Sequence, residues 1–99
     1  MNYVTVRGED VPALGYGTWP MKGTTCRRAV ATALETGYRH VYTAQMYENE
    51  EAVGQAIAGS AVPRDEIFLV TKILRQNLAY DDVLNSVEES RRRLGTDID

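Results

Sequence analysis

Apolar and polar positions alternate at two different periods along this chain, and the switches between them mark its elements. Tyr3-Val4-Thr5-Val6 sets ring and β-branched residues in a short run that ends at the turn formers Arg7-Gly8-Glu9-Asp10. Val11-Pro12-Ala13-Leu14 reads as a short return strand, which Pro12 confines to an edge. The pair predicts an N-terminal hairpin. Gly15-Tyr16-Gly17-Thr18-Trp19-Pro20 follows as a glycine-punctuated strand ending in a loop. The period then becomes helical: Cys26, Ala29, Val30, Ala33 and Leu34 form one stripe, with Thr24 or Thr25 as N-cap and Gly37 at the C′ position. Tyr38 to Ala44 is aromatic and β-branched and suits a strand. Asn49 before Glu50 and Glu51 is an N-cap with acidic first-turn residues, and Val53, Ala56 and Ile57 supply that helix's apolar face up to Gly59-Ser60. Pro63-Arg64-Asp65-Glu66 is a turn, and Ile67 to Ile73 is a nearly continuous apolar strand of the kind buried in parallel sheets. Asp81-Asp82 opens a third helix with Leu84, Val87 and Leu94 on one side, a stripe that Arg91 interrupts.

The predicted order is a hairpin and then β-α three times. Alternating β and α implies a parallel sheet joined by right-handed crossovers, with helices packed on it. Two α/β architectures fit: a small open sheet, or the opening of a (β/α)₈ barrel, which takes roughly 250 residues when complete. With 99 residues the chain holds one domain, residues 1–99, and three of eight barrel units.

Charge and composition narrow the partners. Eleven Lys+Arg against fourteen Asp+Glu give a net charge of −3, which argues against a nucleic-acid binder; Arg91-Arg92-Arg93, preceded by Glu88-Glu89, reads as a solvated helix face. Cys26 is the single cysteine, so no internal disulfide forms and no thiolate metal site is expected. The longest apolar run, Ile67-Phe68-Leu69-Val70, is far too short for a membrane span, and MNYVTVRGED lacks a secretory pattern. A soluble cytoplasmic protein is the expectation.

Chemistry should gather at the C-terminal ends of the strands. On the strand 38–44, His40 and Tyr42 share one face and Arg39, Val41 and Thr43 the other; on the next, Phe68, Val70 and Lys72 share a face. A lysine closing so apolar a strand must either reach water at the strand's C-terminal end or meet a carboxylate. Tyr47 falls in the loop after the preceding strand, so Tyr47 and Lys72 become neighbours, and an ammonium beside a phenol makes a better proton donor of it. His40 reads as a packed histidine rather than a ligand, Gly15-Tyr16-Gly17 as weak evidence for a phosphate loop, Trp19 as either pocket wall or core, and Cys26 as core.

The stretch from Gly37-Tyr38-Arg39-His40-Val41-Tyr42-Thr43-Ala44-Gln45-Met46-Tyr47 to Glu48-Asn49-Glu50-Glu51-Ala52-Val53-Gly54 resembles the first signature of the aldo-keto reductases. Val11 to Trp19, Phe68-Leu69-Val70-Thr71-Lys72 and the closing Ser90…Arg93-Leu94-Gly95-Thr96-Asp97 resemble the same family in the same order, and the spacing is most similar to its prokaryotic diketogluconate-reductase branch. The resemblance implies an α/β fold: an N-terminal β-hairpin plugging the bottom of a (β/α)₈ TIM barrel, here an incomplete barrel of the first three βα units. It implies NADPH as cofactor and reduction of aldehydes and ketones to alcohols, with Tyr47 as proton donor and Lys72 tuning it. By the same resemblance Gly17, Thr18 and Tyr42 fall at cofactor-binding positions, and Trp19 and Tyr47 border the substrate. Tyr42 stands where the family carries a catalytic aspartate that pairs with the lysine and touches the nicotinamide ribose. The histidine after the fourth strand and the basic segment for the 2′-phosphate lie outside these residues.

Three functional expectations follow. The chain is the N-terminal third of an NADPH-dependent carbonyl reductase by descent. By itself it is a truncated fragment that neither holds NADPH nor catalyses. Alternatively, copies self-associate through open sheet edges. The partners expected are a small-molecule carbonyl substrate, with no nucleic acid and no membrane.

Overall fold

A computed structural model describes residues 2–99. Strands β1 (Tyr3–Val6) and β2 (Glu9–Pro12) pair antiparallel, with Val6 opposite Glu9. The turn is therefore only Arg7-Gly8, both with positive φ (51° and 81°), the two-residue loop whose twist matches that of its strands. Glu9 and Asp10 belong to the strand rather than to the turn, because a glycine at the second loop position lets the chain reverse in two residues. The return strand accordingly ends at Pro12 instead of Leu14.

A separate sheet holds β3 (Gly15–Gly17), β4 (His40–Tyr42) and β5 (Phe68–Val70), all parallel and in that spatial order. Strands laid down in sequence order are the pattern of a barrel; a doubly wound sheet would reverse direction. Each strand is three residues long, yet backbone bonds extend the pairing outward: Phe68 N–H donates to Arg39 O (2.7 Å), Thr43 N–H to Val70 O (2.8 Å) and Gln45 N–H to Lys72 O (3.0 Å). The longer strands expected over 38–44 and 67–73 thus persist as a ladder that narrows toward the loops.

Helices α1 (Gly23–Thr36), α2 (Glu50–Ala58) and α3 (Tyr80–Leu94) connect and follow the strands. Val41 and Leu69 point into the core with Cys26, Val30, Leu34, Val53, Ile57 and Leu94. Gly15, Gly17, His40, Tyr42, Phe68 and Val70 occupy the opposite face, in register across the three strands. His40 Nδ1 lies 3.2 Å from the carbonyl of Pro12. A carbonyl only accepts, so Nδ1 carries the proton in this bond, which ties the hairpin to the N-terminal end of the sheet.

Two helix details differ from the sequence reading. Helix α1 starts at Gly23 with Lys22 as its cap residue, so Thr24 and Thr25 lie inside the first turn and neither hydroxyl caps it. Helix α3 buries Ser86, Ser90 and Leu94 while Leu84 is 52% exposed. A stripe built on serines escapes an apolar count. Arg91 lies off that stripe and pairs with Glu88 and Asp97, each at 2.6 Å; those hydrogen bonds push its guanidinium above the ordinary arginine value.

Gly37 (φ 125°) ends α1 in a conformation other residues rarely adopt, donating to the carbonyls of Ala33 and Leu34. Gly54 is required for a different reason. A β-carbon there would sit 2.0 Å from the Leu94 carbonyl oxygen, so α2 and α3 touch backbone to backbone. Gly54→Ala is expected to destabilise the fold by about 2 kcal/mol, seen as a lower urea midpoint. Gly59→Ala, whose β-carbon would meet Gln55 O at 3.4 Å, serves as the tolerated control.

Cys26, on the inner face of α1, is fully buried, and burial pushes its thiol above the ordinary value. The folded chain should therefore resist a thiol reagent such as dithionitrobenzoate near neutral pH and react fully in denaturant. Rapid labelling without denaturant would contradict this packing.

Beyond α3 the chain returns to the sheet. Asp99 N–H donates to Leu69 O (2.9 Å), and Leu69 N–H donates to the Asp99 carboxylate (2.9 Å). Arg64 holds this segment through Thr96 Oγ1 (2.9 Å), the Asp97 carbonyl (2.5 Å) and Asp99 Oδ2 (2.9 Å).

Candidate active site

The C-terminal ends of β3, β4 and β5 open into three loops that meet. After Tyr42 the chain passes through Thr43 and Ala44 into a single 3₁₀ turn, Gln45–Tyr47, which closes at Glu48 in the left-handed region (φ 55°). That turn lifts Tyr47 to the rim. Lys72 lies two residues past β5, and its Nζ donates a 2.9 Å hydrogen bond to the Tyr47 hydroxyl while standing 5.1 Å from the ring centroid. The two residues paired from strand-end reasoning are thus brought together. A cleft of about 420 Å³ adjoins them, lined also by Ala44, Met46, Leu74 and Arg75.

Lys72 has no carboxylate within ion-pair distance among the described residues. Tyr42 does not take that role. The residue is 39% exposed and its ring lies across β3: a β-carbon on Gly15 would come within 3.1 Å of Tyr42 Cδ1, and one on Gly17 within 2.6 Å of Cζ and the hydroxyl. Glycines on this face are what give the phenol room. Tyr42 therefore covers Gly17 instead of leaving it open to a ligand.

Thr18 and Trp19, adjacent in sequence, have opposite fates. Trp19 is 68% exposed on the loop after β3. Thr18 is wholly buried, and its polar atoms are engaged within the protein: its N–H donates to Tyr42 O (3.2 Å), its hydroxyl donates to Thr43 Oγ1 (2.9 Å), and its carbonyl accepts from Met21 N–H (2.9 Å). Thr18 thus shapes the loop from within.

Sequence reasoning missed the residue at the centre of that network. Asn49 stands at the cap position of α2, as expected, but its side chain does not cap the helix. Its Nδ2 donates to Thr18 Oγ1 (3.0 Å) and to the Met21 carbonyl (2.9 Å), and its Oδ1 accepts from Thr43 Oγ1. The loops after β3 and β4 are thereby pinned to the start of α2. Glu50, in sequence only a first-turn acid, is a second such residue. Its side chain is 1% exposed, accepting from Arg93 (2.7 Å) and from the Thr71 hydroxyl (2.7 Å), next to Lys72. A buried carboxylate persists only with such partners. Neither residue carried a sequence signal beyond its place at the start of α2.

Residues 13–99 match the Aldo/keto reductase family. Methylglyoxal reductase DkgB of Salmonella typhi is 52% identical over 87 residues, covering 88% of this chain and 33% of that protein. The crystal structure of an aldo/keto reductase from Brucella melitensis superposes with a TM-score of 0.95 at 42% identity, covering 99% of this chain and 39% of that one. An aldo-keto reductase of Bombyx mori, crystallised in complex with NADP, gives 0.88 at 35% identity over 99% of this chain and 36% of its own. The chain spans about a third of the length of the curated relatives it matches. Its fold is the N-terminal hairpin and first three βα units of a (β/α)₈ barrel. By the family match and by identity to its relatives, this chain belongs to the aldo/keto reductase family.

Proposed function

We propose that these residues carry the proton-donating part of an NADPH-dependent reduction of aldehydes or ketones to alcohols. The observation that carries the proposal is the Lys72–Tyr47 hydrogen bond at the strand ends, 2.9 Å long. A carbonyl oxygen resting against the Tyr47 hydroxyl gains negative charge as its carbon is reduced. Tyr47 then passes its proton to that oxygen, and the Lys72 ammonium stabilises the phenolate left behind. Trp19, exposed on the neighbouring loop, is the apolar wall this chain offers to a small carbonyl substrate. The setting proposed is a one-domain cytoplasmic protein.

The reductant suggested by the family is NADPH, whose part would be to supply hydride. As the side chains stand, the β3 floor does not accept a nicotinamide ring: the Tyr42 phenol covers Gly17, and Thr18 is buried. That one observation favours the second reading, a non-catalytic chain.

Joining residues 1–99 to the remaining two thirds of the Salmonella typhi relative, with Tyr42 retained or replaced by Asp, separates the two. NADPH binding is read by fluorescence and turnover of methylglyoxal by loss of absorbance. If neither joined protein binds and reduces, the enzymatic reading is wrong. The 99-residue chain alone is expected to show no turnover above the blank. Its Lys72 is exposed and its inner sheet face open, so a hydrogen bond to a reacting oxygen competes with water at high dielectric. Turnover by the isolated chain that is abolished in Tyr47→Phe would contradict this.

A further inference from the structure

We propose that Gln45 is the positioning residue that holds Lys72 against Tyr47, an inference that rests on the Tyr47–Lys72 reading above. Gln45 opens the 3₁₀ turn that carries Tyr47 and is itself only 8% exposed. Its backbone N–H donates to the Lys72 carbonyl (3.0 Å), and its side-chain Oε1 accepts from the Leu74 N–H (2.8 Å). One residue therefore grips the chain immediately at and just beyond Lys72. The other end of the amide is anchored in α3, where Nε2 donates to the Ser86 carbonyl (3.1 Å) and to Ser90 Oγ (2.9 Å).

The partners fix the orientation of this amide. The Ser86 carbonyl can only accept and the Leu74 N–H can only donate, so nitrogen must face α3 and oxygen must face the Lys72 loop. Both donors and the acceptor are used, and the buried amide is satisfied on either side. No apolar residue reproduces this, and a glutamate would lack the donors toward Ser86. Without the Gln45 amide, the described residues still hold the backbone of 71–74 through the Thr71–Glu50 bond and through the Gln45 N–H to the Lys72 carbonyl, but Leu74 loses its acceptor. Those two bonds fix where the loop starts, but not the turn past Lys72 to Leu74 that aims the ammonium. Gln45 thus acts through Lys72 and touches no reacting atom.

The test is NMR on the full 99-residue chain, comparing it with Gln45→Met, which keeps bulk and removes the amide. Two signals report the clamp: the Overhauser contact between the Lys72 side chain and the Tyr47 ring, and hydrogen exchange at the Leu74 amide. The amides of Val30 and Leu34 in α1 report the general fold. In Gln45→Met the Lys72–Tyr47 contact should vanish and Leu74 should exchange about tenfold faster or more, with α1 unchanged. Retention of the contact with α1 intact overturns the proposal. Absence of the contact in the parent chain would mean that the Tyr47–Lys72 reading has failed; the clamp is then judged on Leu74 exchange alone, and equal exchange in parent and variant overturns it. Should Gln45→Met not fold, Ser90→Ala, which removes one anchor on α3, is read in the same way: a weakened contact supports the clamp and an unchanged one overturns it.

Discussion

Replacing Tyr47 with phenylalanine, in a barrel completed by joining residues 1–99 to the rest of a relative, is expected to lower carbonyl reduction by roughly 10²- to 10⁴-fold. The substitution removes one oxygen and nothing else. The ring keeps its place on the 3₁₀ turn 45–47 and its position against Lys72, 5.1 Å from centroid to Nζ. What disappears is the O–H that would meet the substrate oxygen. That hydrogen bond is expected to be much stronger in the transition state, where the oxygen carries charge, than in the bound carbonyl. The loss should therefore fall on kcat, with KM and NADPH affinity little changed. A parallel rise in KM with kcat unchanged would mean that Tyr47 only binds.

In the same joined protein, Tyr42→Asp is expected to raise turnover on the order of a hundredfold. Lys72 has no carboxylate partner among the described residues, and the resemblance places an aspartate at position 42. A carboxylate at the end of β4 would supply the charge that fixes the ammonium, an effect worth roughly 2–4 kcal/mol at the transition state. The exchange also removes the phenol from Gly15 and Gly17 and reopens the β3 floor. The two contributions separate by measurement: relief of the steric cover should tighten NADPH binding, while the added charge should act on kcat. Tyr42→Ala isolates the first. Equal turnover with and without the Tyr42→Asp exchange would show that the phenol is harmless.

Legibility in the sequence followed how far each residue's environment is set by its neighbours along the chain. The hairpin, the order of the βα units and the buried stripe of α1 could be read from period and turn chemistry, because apolar residues there point where their spacing sends them. Helix α3 could not, since Ser86 and Ser90 are buried against Gln45, which bonds to the Ser86 carbonyl and the Ser90 hydroxyl, a fact of tertiary contact alone. The same division holds at the site. Tyr47 and Lys72 sit at successive strand ends, so topology brings them together. Asn49 and Thr18 are polar loop residues, a pattern that ordinarily means exposure. Their burial depends on three loops closing over one another, which no local window contains.

The return of Asp99 to Leu69 changes what the β5 edge offers to another strand. The outer edge of a parallel sheet is a template on which a stray strand can grow, one amide at a time. At Leu69 the template is already occupied, with the N–H donating to a carboxylate and the carbonyl accepting from Asp99. A negative charge seated there repels the peptide carbonyls of an arriving chain, and the Arg64 guanidinium keeps it from swinging away. Among the described residues, the β5 edge at Leu69 thus meets its surroundings through a charged side chain rather than through open peptide groups.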